Sequence, residues 1–265
     1  SATGIDLVLK VVFIAFALQW IAFIPAYVFQ TEKFYDLMGS ITYLSVMWFS
    51  LASTSEQFTA LNGANIAIVL LITLWALRLG TFLFMRIHKD GEDKRFRSIK
   101  PSATQFFMTW TLQGLWVSMC SMCALTAISS ETGVVMNALF YIGLGLFIYG
   151  FCTEIIADNQ KSKFRSIPEN RDKFITTGLW AKSRHPNFFG EIVLWAGIAV
   201  MSFSSLNGLQ YLTLISPVFT YLLLVYVSGV RMLEARADKK WGQDEEYVKY
   251  KSETPVLMIK YLGRP

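Results

Sequence analysis

From Asp158 to Trp195 the chain reads DNQKSKFRSIPENRDKFITTGLWAKSRHPNFFGEIVLW, set between two long apolar runs. Cations, carboxylates, amides and aromatic rings alternate within it. Lys161 and Arg165 are four residues apart and Asp158 precedes Lys161 by three, so on a helix the three share a face. Arg184-His185-Pro186-Asn187-Phe188-Phe189-Gly190-Glu191 closes the stretch. Pro186 forces a turn before an apolar helix and suits its first position. Asn187 then lies at the helix start and Glu191 one turn in, on the same side. An acid there is costly unless it faces protein or water. Cations for phosphate, carboxylates or amides for hydroxyl and amide groups, and an aromatic surface for a ring together suit a nucleotide-like cofactor. The simpler account, a basic face against anionic lipid heads, explains the charge but not the interleaved Asp93, Asp158, Asn159, Asn187, Glu191, Glu234 and Asp238.

The elements that must position these groups are membrane helices. Of 265 residues, 54% are apolar and 16% charged, against about 25% charged in an ordinary soluble protein. Apolar runs near the ~20 residues that cross a bilayer recur at roughly 5–29, 36–55, 64–87, 104–127, 133–156, 188–205 and 209–230. Spans of this kind must be helical, because lipid offers backbone groups no partner. The expected fold is therefore all-α: a polytopic membrane protein of about seven transmembrane helices. The first run is too long for the apolar core of a signal peptide and is read as a span. Lys and Arg fall one between the first two runs, six at 86–100, seven at 161–184 and eight from Arg231 on, with none in 56–63, 128–132 or 206–208. That asymmetry predicts an outside N-terminus and a cytoplasmic C-terminus. A single membrane-embedded domain is expected, with 1–130 on the substrate side and 131–265 forming the cofactor half. The tail from Arg231 reads as an amphipathic helix with a short extended end at Thr254–Pro255.

Other patterns carry less. Cys120, Cys123 and Cys152 all lie in apolar runs and form no disulfide framework; packing explains them. Two histidines, His88 and His185, make no metal cluster, so no metal is expected. No glycine-rich dinucleotide turn follows a strand, so a nucleotide would be held by helix ends and loops. Arg78 and Gln113 lie inside spans, where a polar group signals either function or helix-to-helix hydrogen bonding. Tyr35, Asp36 and Tyr43 open the second run and are candidates to line a lipophilic cavity.

Three segments carry a family resemblance. The run Asp158 to Pro168 resembles the loop that membrane sterol reductases carry after a late helix. Arg184 to Glu191 resembles their RHPNYxGD/E turn. Glu234-Ala235-Arg236, Lys240-Trp241-Gly242 and Tyr247 to Tyr250 resemble their closing signature. The chain as a whole, including Gly91-Glu92-Asp93-Lys94-Arg95-Phe96, is similar to the bacterial-type branch of the steroid 5-alpha-reductase superfamily, specifically so from about residue 154. The resemblance implies an NADPH-dependent reductase of a carbon–carbon double bond in a steroid-like or other lipophilic substrate. Lys161 and Arg165, beside Asp158, would take the 2′-phosphate end of NADPH. Trp180, Asn187, Phe188 and Glu191 would hold the adenosine or nicotinamide portions. Arg236, Asp238, Trp241, Tyr247 and Tyr250 would close over the cofactor from the tail. Phe188 stands where Tyr is commoner, the run after Arg236 is shorter than in the sterol reductases, and their early Gln-Glu pair has no counterpart here.

Reduction needs a proton or a hydrogen-bond donor as well as hydride; Tyr35, Asp36 and Gln113 are the candidates. The expected partners are a lipophilic small molecule from the bilayer and membrane lipids, with no nucleic acid and no obligate protein partner. The bacterial-type branch favours a bacterial inner membrane over endoplasmic reticulum. Two rivals remain open. One is an S-adenosylmethionine-dependent membrane methyltransferase of the isoprenylcysteine or phospholipid type, which shares the RHPxYxG turn. The other is a non-catalytic lipid-binding protein.

Overall fold

The structure, a computed structural model, describes residues 2–57 and 62–261, with the side chains at 2, 3 and 55–57 left aside. Residues 58–61 of the basic-free loop 56–63, and Arg264, lie outside them. Among the described residues every regular element is helical: α1 (Ala2–Val28), α2 (Tyr35–Gln57), α3 (Gly63–Asp90), α4 (Ala103–Ile128), α5 (Ala138–Ser166), α6 (Pro186–Ser202), α7 (Ile215–Leu222), α8 (Val230–Trp241) and α9 (Glu245–Glu253), joined by loops and short 3₁₀ turns. Among the described residues six helical stretches are long and apolar enough to cross a membrane: Gly4–Val28, Gly63–Asp90, Ala103–Ile128, Ala138–Ser166, Pro186–Ser205 and Gly208–Trp241. The second apolar run forms α2, 23 residues long but outside that set. Its hydroxyls explain the lower hydropathy. Thr42, Ser45, Ser50 and Thr54 each donate back to the carbonyl four residues earlier, which satisfies them within the helix. The last run is composite: α7 passes into a π-helical turn at Leu223–Val227 and restarts as α8 after Gly229.

Two compact units result. The first comprises 1–140 with 201–216, the second 141–200 with 217–265. In the first, α1 packs on α4 and α2 on α3. Their core includes Tyr43, Trp75, Phe106 and Trp110, each nearly solvent-free. Helix ends follow from local chemistry. Gln30, at φ 49°, closes α1, with Thr31 N–H reaching back to Ala26 O. Asn62 caps α3 through Ala64 N–H and Asn65 N–H, and Ser102 caps α4 through Gln105 N–H. The basic segment after α3 is folded back by an acid. Glu32, only 3% exposed in its side chain, accepts from Asp93 N–H at 2.8 Å and pairs with Lys100 at 2.5 Å. Glu32→Gln removes the charge and keeps the shape. A loss of about 1–2 kcal/mol is expected, readable as a lowered thermal midpoint in detergent.

In the second unit, α5 and α6 meet backbone to backbone. A Cβ on Gly150 would stand 2.4 Å from Gly190 O, and one on Gly190 would stand 2.5 Å from Gly150 O. Gly197 repeats the contact against Gly143 O at 2.6 Å. Apolar side chains gain little by association in lipid, so small residues that admit close backbone packing set such crossings.

Candidate functional site

α5 continues its helix to Ser166, so Asp158, Lys161 and Arg165 occupy the helical positions their spacing required. Asp158 is buried at 6% exposure, Lys161 half-buried and Arg165 exposed. The Lys161 ammonium stands 4.3 Å from the Trp180 ring centroid, a cation–π contact. Trp180 is itself buried and donates from Nε1 to Ala157 O at 3.0 Å. It is therefore a floor under Lys161. Gln160 accepts from Leu179 N–H at 2.9 Å, and Gly178, at φ 63°, leaves room for that side chain: a Cβ there would lie 2.5 Å from it.

The Arg184–Glu191 turn follows as its sequence predicts, with Pro186 the first residue of α6. Its partner comes from α8. Glu234 accepts from Arg184 Nη1 at 2.7 Å with one oxygen and bonds His185 Nε2 at 2.7 Å with the other. Lys251, on α9, reaches Glu234 at 3.5 Å and Asp238 at 2.5 Å, and the Tyr247 hydroxyl donates to Asp238 at 3.0 Å. The chain after α9 then runs beside the turn as a strap. Arg184 N–H donates to Pro255 O, His185 N–H to Val256 O, and Lys260 N–H to Lys182 O. Tyr250 Oη donates to Trp180 O at 2.6 Å.

Burial pushes the His185 imidazole below its ordinary range; its bond to Glu234 and that carboxylate's charge push it partly back, while Lys161 and Arg184 add to the lowering. Burial also raises the Tyr247 and Tyr250 hydroxyls well above the usual phenol range, so both stay protonated donors at neutral pH.

Three polar atoms within four residues are buried with no hydrogen-bond partner in the protein: Arg184 Nε, His185 Nδ1 and Asn187 Oδ1. Such groups are rare in folded proteins, and each costs about 1–3 kcal/mol when left unmade. Their clustering at the N-terminal end of α6, where helix dipoles favour anions, suits a ligand that brings its own donors and acceptors. Glu191 is buried at 5% and Glu154 at 2%, held at the same level by the Gly150–Gly190 contact.

The other expected site residues divide. Phe188 stacks on His185, centroids 5.8 Å apart. Trp241 Nε1 donates to Asp172 O at 2.7 Å, and Trp241, Tyr247 and Tyr250 surround Phe174; these residues hold the loop after α5 to the tail. Arg236 is exposed on α8. Tyr35, Asp36 and Gln113 belong to the first unit. Tyr35 Oη donates to Thr109 O at 2.8 Å, and Gln113 Nε2 bonds both Gln19 Oε1 and Tyr35 O at 2.9 Å, while Gln19 donates to Thr42. Asp36 lies within electrostatic reach of Arg95. Sequence reasoning missed Arg184 and Glu234 as site residues and gave His185 little weight. The signal available was the R-H pair before Pro186 and one acid, Glu234, on the otherwise basic first turns after 230. Among the described residues no group of three His, Cys, Asp or Glu could hold a metal ion.

A family model described as "Protein of unknown function (DUF1295)" matches residues 22–254. A curated relative, the "Probable O-methyltransferase ustE" of Ustilaginoidea virens, is 30% identical over 116 residues, covering 38% of this chain and 41% of the relative. The chain thus spans about two fifths of the length of the curated relative it matches. No solved structure matches.

Proposed function

The chain belongs to the DUF1295 family, and from that premise we propose a membrane-embedded enzyme: an NADPH-dependent reductase of a carbon–carbon double bond in a lipophilic substrate. One observation supports it most. Lys161 on α5, the Arg184–Glu191 turn and Glu234 on α8 come together in a single unit beside three buried polar atoms that the protein leaves unbonded. The donor set fits a phosphate-bearing dinucleotide. Lys161, Arg165 and Arg184 suit its phosphates, Asn187 and Glu191 its amide or hydroxyl groups, and Phe188 one of its rings. NADPH would supply the hydride; the chain would bind, orient and exclude water. The basic segments face the cytoplasm in this reading, where NADPH is available, and the substrate enters from the bilayer.

The test is thermal stabilisation by NADPH in detergent or nanodiscs. A ligand at 100 times its Kd stabilises by about 2.7 kcal/mol. Arg165→Ala is expected to weaken NADPH by roughly 10–100-fold, the loss of one charge-assisted contact of about 1.5–3 kcal/mol, and to leave NADH nearly unchanged. Equal weakening of both removes Arg165 from the 2′-phosphate.

The methyltransferase reading is kept because of the relative named as an O-methyltransferase. S-adenosylmethionine carries no phosphate, so the Lys161/Arg165 pair is surplus there, with one carboxylate as its anionic partner. Stabilisation by S-adenosylmethionine and not by NADPH decides for it.

A further inference from the structure

We propose that His185 is the general acid of this site, and that loading of an anionic dinucleotide is what protonates it. The inference rests on the reductase reading. His185 Nε2 is committed to Glu234. With Glu234 ionised, Nε2 carries the hydrogen and the bare nitrogen is Nδ1, which is buried and has no partner in the protein. Nδ1 is thus the one position on the ring able to take a proton and pass it on.

The charges around it set when it does so. Glu234 from α8 favours the imidazolium. Lys161 from α5 and Arg184 beside it oppose it, as does burial of the ring; Lys251 from α9 lies 3.5 Å from Glu234 and weakens that carboxylate's pull. Without ligand the balance holds His185 neutral near pH 7. The two opposing cations are also the groups suited to phosphate. A bound phosphate neutralises them and adds negative charge near the ring, so both changes favour Nδ1–H. The loaded site would then carry the proton that reduction requires. His185 releases that proton from Nδ1 to one carbon of the substrate double bond, or to a conjugated carbonyl oxygen, as hydride joins the other carbon. The imidazole is left neutral with Nε2–H still donating to Glu234, and solvent restores the proton on the next loading. Because the pKa is raised by binding, NADPH binds more tightly on the acid side, and that advantage is lost as pH rises through the raised value.

The chain has two histidines, so ¹⁵N-histidine spectra in phosphatidylcholine nanodiscs contain two imidazoles, and His88→Gln assigns them. The expected result at pH 6.5–7 is a bare Nδ1 on His185 that becomes N–H-like when NADPH is added. Calorimetry in buffers of different ionisation enthalpy should show proton uptake of a sizeable fraction per NADPH, lost in His185→Gln. The 2′-phosphate's own proton release runs the opposite way and is common to both proteins, so the difference isolates His185. Glu234→Gln should lower the His185 titration and reduce the uptake. NADPH binding with Nδ1 still bare, or with uptake unchanged in His185→Gln, overturns the acid and leaves the reductase reading standing. Failure of NADPH to bind at all overturns both.

Discussion

Glu234→Ala is expected to lower the unfolding free energy by about 3 kcal/mol and to abolish detectable cofactor binding. Removing one member of a buried ion pair leaves the other charge uncompensated, at about 3–5 kcal/mol; the 19% exposure of the Glu234 side chain places the effect at the low end. Arg184, 12% exposed, and His185, 7% exposed, would both lose their carboxylate. The turn that presents Asn187 would then be held by the strap's backbone hydrogen bonds and by Ser183 Oγ on Leu257 O. Glu234→Gln keeps one acceptor and one donor in place and should cost less than half as much. Equilibrium unfolding in detergent with both variants gives the comparison. Equal stability of Glu234→Ala and the native chain would mean that Glu234 does not support the turn.

Gly190→Leu is expected to prevent folding of the second unit. Gly190→Ala alone should cost about 1–3 kcal/mol, the usual range for overpacking. The obstructing atoms are backbone, Gly150 O at 2.5 Å and Glu154 N at 2.7 Å, so no side chain can rotate away. α5 and α6 would have to separate, and Glu154 and Glu191 would separate with them. The control is Gly145→Ala: a Cβ there meets nothing within 4 Å, and alanine is the better helix former by ~1 kcal/mol. Helical content and a monodisperse elution profile in detergent separate the two outcomes. A folded, cofactor-binding Gly190→Leu would show that the crossing is not tight.

Much of the candidate site's local geometry was legible because it depends on near neighbours in sequence. Asp158, Lys161 and Arg165 needed only that α5 outrun its apolar stretch, which polar but helix-compatible residues allow. The start of α6 followed from one proline, and Asn187 and Glu191 from their distance to it. The role of Glu234 was not legible, because its partners lie 50 and 49 residues away and no periodicity links them. Trp180 was expected against the cofactor through the family resemblance; that Lys161 covers it depends on how 170–180 fold back on α5. Trp241 and Tyr250 looked like ligand contacts, yet their polar atoms bond the backbone of Asp172 and Trp180.

The amino-acid sequence on its own determined an all-helical chain built for a membrane, the start of α6 at Pro186, and the segments proposed to carry the chemistry. Hydropathy and a repeat of 3.6 residues are properties of neighbours, and neighbours are written in order. The tertiary structure decided which carboxylate faces which cation, how near α5 comes to α6, and that the end of the chain runs along the Arg184–His185 turn. Those depend on contacts between segments tens of residues apart, where a backbone carbonyl or one buried glutamate selects the arrangement and leaves no pattern along the chain.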